Sequence, residues 1–349
     1  MKMFGVGIGI GVAIDVGIGL QASMPIPIPT PRAGGCRPYF RSGRSGGALL
    51  QGSRELWRPS LESCNLHIMT GTEPAICCGI DVGASTTKIA LLDGNRTILA
   101  HAARRSGLDF AGVARKCFDE AVRSAGISSS SIARTIATGI GRHNVEFADS
   151  VRTEISCQER AGSHFFPGAI TIIDIGCQDN KIIRLNERGE RIQFRMNRKC
   201  AAGTGAFLEE IAGKMDIPIS ELDGLAHQAR GEVSLGSYCT VFTQTEILAK
   251  IRMGACVEDI VKGAYRSILK RIFEMDRLEG EIVATGGVVA HNPIIVEMLE
   301  EQLGRAVKVP PLPQITCAIG AALIALESLR YAAGPAPGSA QNRPGSPAT

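Results

Sequence analysis

The stretch IDVGASTTKIALL, residues 80–92, returns further along the chain as IDIGCQDNKIIRL, residues 173–185. The positions that match are Asp81 and Asp174, Gly83 and Gly176, and Lys88 and Lys181. Each copy is a short apolar run, an Asp-x-Gly turn and a second apolar run, which predicts two buried strands joined by a turn. Two such units predict a duplicated α/β fold whose two domains face each other across a cleft.

Further helices are predicted outside the two copies. Apolar residues at helical spacing predict helices at residues 110–125, 205–215, 220–229, 242–253 and 257–275. Asn292 and Pro293 are typical of an N-cap and a first helical residue. We therefore place a first subdomain at residues 76–170 and a second at residues 171–331.

Residues 1–68 differ in composition from the rest. A glycine-rich apolar run interrupted by Asp15 is followed by proline-rich and arginine-rich stretches. The glycines and the acid argue against a transmembrane helix, and no small-residue cleavage site follows the run. We expect a disordered or spurious N-terminal extension, with Met69 just before the first strand and a targeting segment as the alternative. Composition also predicts a disordered tail at residues 334–349.

Bulk properties exclude some classes of function. The formal net charge of +4 over 349 residues does not indicate a nucleic-acid partner. The chain has 11 cysteines at irregular spacing without a CxxC pair, which favours a reducing compartment over a secreted disulfide scaffold. We therefore expect a cytoplasmic protein with no nucleic-acid or membrane partner.

The turns of the two copies carry the residues expected around phosphate. Glycine lets the backbone approach a ligand, and successive N–H groups and hydroxyls bind anions. The candidate binding residues of the first turn are Gly83, Ser85, Thr86, Thr87 and Lys88, and the second turn adds Gly176. Asp81 and Asp174, at strand ends, are candidates to hold a hydrated Mg²⁺. Gln178 and Asp179 are candidates to orient an attacking water.

A third glycine turn lies in ATGGVVAHNP, where Gly286 and Gly287 separate a strand from a helix. Either Asp-x-Gly turn alone could be an ordinary turn, but the three turns in order are specific. The chain has no P-loop signature and no GxGxxG between a strand and a helix. The set resembles the acetate/sugar kinase–Hsp70–actin superfamily, and the resemblance implies ATP held between two domains, with Gly286 and Gly287 at the adenosine.

Two cysteines have settings that a kinase would not require. Cys200 follows two cations in NRKCAAGTGAFLEEIA, and Cys239 likewise precedes a helix. A helix N-terminus and nearby cations both favour the thiolate, the form that ligates iron. Because Fe–S clusters usually have four cysteine ligands, a pair in each of two chains would complete one cluster. Two inert thiols remain the alternative.

Together with CTVF and TGGVVAHNP, this segment resembles the BadF/BadG/BcrA/BcrD ATPases, which activate 2-hydroxyacyl-CoA dehydratases or serve benzoyl-CoA reductases. The resemblance implies that Cys200 and Cys239 bind half of a [4Fe–4S] cluster shared across a homodimer or a paralogous heterodimer. It also implies ATP-driven electron delivery to a dehydratase or ring-reductase component, with ferredoxin or flavodoxin as donor.

The chain departs from the family pattern at two positions. Cys177 replaces a glycine in the second phosphate motif, and Gln244 replaces an acid near Glu246. Cys177 bears on how closely a phosphate can approach the loop. Gln244 bears on which subgroup of the family the chain resembles. A small-molecule kinase of the same fold with spectator cysteines, or a regulatory ATP-binding module, remains the alternative.

Overall fold

Two five-stranded mixed sheets organise the computed structural model, which describes residues 75–197, 203–235 and 240–332. The strands of the first sheet are β1 Ile76–Val82, β2 Thr86–Leu92, β3 Ile98–Arg105, β4 Ile132–Thr138 and β5 Ser150–Val151. Those of the second are β6 Ile170–Ile175, β7 Asn180–Leu185, β8 Arg191–Asn197, β9 Glu281–Thr285 and β10 Val307–Lys308. Both sheets lie in one compact unit of the chain.

The two sheets have the same topology. Their strand orders are β3-β2-β1-β4-β5 and β8-β7-β6-β9-β10. In each, the first three strands are antiparallel neighbours, and the last two add in parallel beside the first. The duplication predicted from the repeated sequence is therefore confirmed at the level of topology.

Helices cover the sheets. Their bounds are α1 Phe110–Ala125, α2 Glu154–Phe165, α3 Gly205–Lys214, α4 Leu222–Gln228, α5 Thr240–Arg252, α6 Val257–Met275, α7 Gly287–His291, α8 Pro293–Leu303 and α9 Thr316–Ala332. The Asp109 side chain caps α1 by accepting a hydrogen bond from the Gly112 N–H at 2.8 Å. Gly126, at φ 66°, ends the same helix in the left-handed conformation.

The first sheet is buried on both faces, which explains why β1 is an almost unbroken apolar run. Ile80 and Val82 face the α1 side, whereas Cys77 faces α9. Gly79 lies under α9, and a Cβ there would overlap the backbone carbonyl oxygen of Ala318. A glycine in this strand thus allows α9 to lie directly on the sheet.

The second sheet packs against the long helix α6 and its neighbours. Eight residues of α6 are buried, and seven of them join β6, β9, α3, α4 and α8 in one large apolar cluster. On the opposite face, Ile172 and Ile183 pack with Ile155 of α2. A Cβ at Gly162 of α2 would overlap the Ile172 side chain, so this helix also lies close to its sheet.

Three local details differ from the sequence prediction. A short 3₁₀ turn at Ile219–Glu221 precedes α4, so the α-helix there is shorter than predicted. Helix α5 begins at Thr240, two residues earlier than predicted. Asn292 occupies the predicted N-cap position of α8, but its side chain does not cap. Its amide donates to the carbonyl oxygen of Val288, and its oxygen accepts from Tyr265, because both groups are buried and need partners.

Candidate functional site

A cleft of about 580 Å³ lies where the turns of both sheets meet. Its lining includes most of the residues predicted from the three glycine turns: Asp81, Gly83, Ser85, Thr86, Lys88, Asp174, Gly176, Gln178, Asp179, Gly286 and Gly287. The volume falls within the range typical of small-molecule sites. The fold therefore brings residues from three separate parts of the sequence to one concave surface.

Asp81 and Lys88 form the first ion pair of the cleft. They face each other in the register of β1 and β2, with 3.0 Å between Lys88 Nζ and Asp81 Oδ2. Burial alone would lower the pKa of Lys88, but the Asp81 carboxylate outweighs it and the net shift is upward. The lysine is therefore a fixed cation at the cleft wall.

Lys181 repeats this arrangement in the second sheet with more partners. It lies opposite Asp174 in the register of β6 and β7, and its Nζ is 3.4 Å from Asp174 Oδ2. Asp179 Oδ1 lies 2.6 Å away and Glu154 Oε2 lies 2.9 Å away. Burial opposes the charge on Lys181, but these three carboxylates together raise its pKa well above the ordinary value. One buried cation thus ties α2 to the second turn.

The glycines at the two turns are required by the backbone. The Gly83 N–H donates to the Thr86 carbonyl oxygen at 3.1 Å, and the Gly176 N–H donates to that of Asp179 at 3.0 Å. A Cβ at Gly83 would lie 2.8 Å from the Thr86 oxygen, and one at Gly176 would lie 2.7 Å from the Asp179 oxygen. Both turns are therefore tight concave loops of the kind that holds phosphate.

The three hydroxyl residues of the first loop have different positions. Ser85 and Thr86 line the cleft. Thr87 is fully buried beneath the loop, where its hydroxyl lies 2.9 Å from that of Ser106. The Ser106 hydroxyl donates to the carbonyl oxygen of Gly83 at 2.6 Å. Thr87 is thus placed to support the loop rather than to face a ligand, because alternate strand residues point to opposite faces.

The third turn has a counterpart that the sequence analysis missed. Gly286 has φ 103°, and a Cβ there would overlap the carbonyl oxygen of Ile175. Gly139 has φ 88° and makes the same close approach to Val82 in the first half. Both turns have the sequence ATG, in which Ala and Thr end β4 and β9 and the glycine follows. The internal repeat therefore extends to a second pair of glycine turns.

Cys177 links the two glycine loops, Gly83–Thr86 of the first half and Gly176–Asp179 of the second, which are the candidate phosphate loops. The Ser85 hydroxyl of the first loop donates to the Cys177 sulfur of the second at 2.9 Å. Burial raises the pKa of the Cys177 thiol, and the hydrogen bond from Ser85 opposes that shift only in part. The thiol is therefore neutral at physiological pH and does not repel an anion by charge.

The wall of the cleft also includes residues without a sequence signal, three of which bear on its chemistry. Glu154 and Gln158 come from α2, and Cys317 comes from α9. Gln158 is buried at 3% exposure, and within the described ranges its side-chain oxygen has no hydrogen-bond partner. Such a buried acceptor is matched by a donor when a ligand or water is bound.

Helix α3 begins directly on the second phosphate loop. The N–H groups of Gly205 and Ala206 donate to the carbonyl oxygens of Gly176 and Cys177 at 2.9 and 2.8 Å. A Cβ at Gly205 would lie 3.2 Å from the Cys177 Cα, which is tight enough that the loop or the helix would have to shift slightly to admit a side chain. The first turn of α3 is thus attached to the loop that lines the cleft.

The predicted cluster ligands Cys200 and Cys239 lie outside the described residues. Within the described ranges, no group of three or more His, Cys, Asp or Glu side chains is arranged to hold a metal ion. Asp81 and Asp174, the predicted Mg²⁺ ligands, are two carboxylates and therefore do not count as such a group. No helix in the same ranges is long and apolar enough to span a membrane.

Several known proteins are similar to this chain. An activator of lactoyl-CoA dehydratase from Anaerotignum propionicum is 39% identical over 253 residues, which cover 72% of this chain and 97% of that protein. The (R)-2-hydroxyglutaryl-CoA dehydratase activating ATPase of Acidaminococcus fermentans is 38% identical over 251 residues, 71% of this chain and 95% of the other. The solved structure of the activator of the 2-hydroxyisocaproyl-CoA dehydratase from Clostridium difficile, with bound ADPNP, matches with TM-score 0.70 and 34% identity, covering 74% of this chain and 97% of that one.

The structural match confirms the predicted duplicated α/β two-domain ATPase fold. The family model of the BadF/BadG/BcrA/BcrD ATPases matches residues 78–325. This range contains both phosphate loops and the third glycine turn. From the extent of that match and the identity to two relatives, the chain belongs to the BadF/BadG/BcrA/BcrD ATPase family.

Proposed function

We propose that this chain is an ATP-dependent activator that uses ATP hydrolysis to drive transfer of a low-potential electron to a partner 2-hydroxyacyl-CoA dehydratase. The observation that carries the proposal is the attachment of α3 to the second phosphate loop. Because Cys200 lies just before α3 in the sequence, a movement of this loop is passed to the segment that carries the candidate cluster ligand. The relatives named as dehydratase activators support this class of partner.

The nucleotide would lie in the cleft with its phosphates at the two loops. Lys88, Ser85 and Thr86 supply a cation and hydroxyls from the first half, and Gly176 supplies a close backbone approach from the second. Gly286 and Gly287 would lie beside the adenosine. Asp81 and Asp174 would hold Mg²⁺, which neutralises charge on the phosphates.

Two residues of the second loop have separable roles in hydrolysis. Asp179 is engaged by Lys181 at 2.6 Å, so we assign it to holding the loop. Gln178 lines the cleft, and its neutral amide can orient a water for attack on the terminal phosphate. Glu154, at the start of α2, joins the same wall through its ion pair with Lys181.

Closure of the cleft would supply the mechanical step. A nucleotide that contacts both loops favours the closed form, because it binds that form more tightly than the open one. The loop then moves with α3, through the hydrogen bonds from Gly205 and Ala206. Closure in two copies of the chain would change the angle between them and favour docking of the partner.

We assign Cys200 and Cys239 as the cluster ligands, two from each of two chains, in a homodimer or a paralogous heterodimer. A [4Fe–4S] cluster held in this way would supply the low-potential electron. A ferredoxin or flavodoxin would be its donor. A benzoyl-CoA reductase component is the second candidate partner, because the family includes the subunits that serve it.

Anaerobic reconstitution of the full chain with iron and sulfide tests this function. We expect a brown dimer with about four iron and four sulfide per dimer, nucleotide-dependent activation of a dehydratase, and loss of both in Cys200→Ala. Cys117→Ala is the matched control, because Cys117 is a buried thiol that does not line the cleft, and the iron content should be unchanged.

The same preparation separates the electron carrier from a kinase of the same fold. A kinase would transfer phosphate to a small-molecule acceptor, and its activity would not require Cys200. A colourless reconstituted protein in which Cys200→Ala leaves ATP turnover and dehydratase activation unchanged would exclude the redox function.

A further inference from the structure

Two reduced cysteines meet behind the cleft. Cys157 lies on α2 and Cys317 on the first turn of α9, and neither forms a disulfide. The Cys317 thiol donates to the carbonyl oxygen of Glu154 at 3.7 Å, and the nearby Cys157 thiol contributes to raising the pKa of Cys317. Glu154 lies one helical turn before Cys157 on α2. Cys317 is therefore packed against the turn of α2 that contains Cys157.

The helices are unusually close at this point. Gly320 lies one turn after Cys317 on α9, and a Cβ there would overlap the backbone carbonyl of Cys157. Cys157 and Cys317 also belong to one buried cluster with the small residues Ala318 and Ala321. Close backbone approach is a requirement for a disulfide, since the Cα atoms must come within about 7 Å.

The pair can be reached from the cleft. Cys157 is fully buried, whereas Cys317 lines the cleft at 5% exposure, beside Gln158 and Glu154. A small molecule that enters the cleft can therefore reach Cys317 first, with Cys157 directly behind it. A larger thiol reagent cannot reach Cys157 without opening the helix pair.

The contact between α2 and α9 also joins the two halves of the fold. Helix α9 packs on β1 of the first sheet, where Ala318 lies over Gly79. Helix α2 packs on the second sheet through Gly162 and its Glu154–Lys181 ion pair. A covalent bond between α2 and α9 would fix the position of one half relative to the other.

We propose that Cys157 and Cys317 form a redox-active dithiol that a small peroxide converts to a disulfide. The Cys317 sulfur attacks the peroxide, which breaks the O–O bond and gives a sulfenic acid and water. The Cys157 sulfur then displaces the sulfenic hydroxyl, which leaves as a second water as the S–S bond forms. The two thiols lose two electrons and two protons, and one hydrogen peroxide is reduced to two waters.

The reaction is expected to be slow. The neighbouring Cys157 thiol and burial both raise the pKa of the Cys317 thiol well above its ordinary value. The thiolate is the reactive form, so a neutral buried thiol needs sustained exposure to oxidant. The pair thus responds to persistent oxidation rather than to a brief pulse.

The effect of this disulfide on ATP turnover rests on the proposed function, whereas formation of the disulfide does not. A bond from α9 to α2 restrains the turn that contains Glu154 and so restrains closure around the nucleotide. The oxidised chain should therefore turn over ATP several-fold more slowly, and a dithiol reductant should restore the rate.

Hydrogen peroxide treatment of the purified full chain, followed by alkylation and peptide mass spectrometry, tests the pair directly. We expect a Cys157–Cys317 linked peptide in the wild type, with slower formation when Mg²⁺ and a non-hydrolysable ATP analogue are present. Oxidation at other thiols without this linked peptide would overturn the proposal.

Cys157→Ala provides the matched comparison for turnover, since this side chain lies behind the cleft wall. We expect the reduced variant to match the reduced wild type and to lose less activity than the wild type under the same peroxide treatment. Equal losses, despite a mapped disulfide in the wild type, would overturn the restraint on closure. A reduced wild type with no ATP turnover would instead contradict the proposed function, while the mapped peptide still decides the dithiol.

Discussion

Removal of the Lys181 charge should be the most destabilising single change at the cleft. The Lys181 side chain is 4% exposed and has three carboxylates within 3.4 Å. Lys181→Met keeps much of the apolar stem but leaves Asp174, Asp179 and Glu154 close together without a cation. Removing one partner of a buried ion pair costs about 3–5 kcal/mol. For a domain of this size, that lowers the melting temperature by about 10 °C.

Chemical and thermal denaturation of Lys181→Met and Lys88→Met, side by side, measure this cost. Within the described part of the chain Lys88 has one carboxylate partner, Asp81, and it is more exposed at 16%, so its loss should cost less. A Lys181→Met variant within about 1 kcal/mol of the wild type, or less affected than Lys88→Met, would refute the assignment of Lys181 as the central cation.

The pH dependence of the stability contributed by Lys181 follows from the upward shift of its pKa. Because the pKa of Lys181 is raised on folding, its contribution to stability is fully present below the unfolded value of about 10.4 and is lost as pH rises through the higher folded value. The stability difference between the wild type and Lys181→Met should therefore be constant near neutral pH and shrink above about pH 10.4. A difference that grows with pH would contradict the shift.

Three further changes test the loops and the packing. Cys177→Gly removes the hydrogen bond between the two loops, which is worth about 1 kcal/mol, and should lower the KM for ATP about fivefold. Ser85→Ala breaks the same hydrogen bond and is the comparison variant. A raised KM in the glycine variant would show that the thiol helps ATP to bind. Gly286→Ala should abolish nucleotide binding in equilibrium titrations, because φ 103° and the overlapping carbonyl exclude a side chain. Gly79→Ala should destabilise the chain by about 1–3 kcal/mol by pushing α9 off β1, whereas Gly224→Ala, on an open helix surface, should be neutral or stabilising in the same denaturation assay.

The sequence contained enough to predict the two loops and their topology. The Asp and Lys of each copy recur at one offset, and the structure places them directly opposite in a hairpin register. An antiparallel pair joined by a tight turn is a local feature, so the spacing of Asp81 and Lys88 already determines that they meet. The same reasoning applies to Asp174 and Lys181.

The contacts between distant segments could not be predicted. Glu154 reaches Lys181, and Cys317 reaches Cys157, only because α2 and α9 cross behind the cleft. Nothing in the spacing of these residues distinguishes them from ordinary helix residues. Thr87 was misleading for a related reason: its place in the loop sequence is regular, but strand alternation turns it under the loop. The positions of Cys200 and Cys239 stay predictions.

The hydrogen bonds from α3 to the second loop have a consequence for the direction of the loop's peptide groups. In a planar trans peptide the carbonyl oxygen and the next N–H point in opposite directions. Because the carbonyls of Gly176 and Cys177 are held by α3, the N–H groups of Cys177 and Gln178 are directed away from that helix. A rotation or withdrawal of α3 therefore reorients two donors of the phosphate loop at once. The position of α3 thus determines which way the loop's N–H groups point, and a change in the loop likewise moves the start of α3.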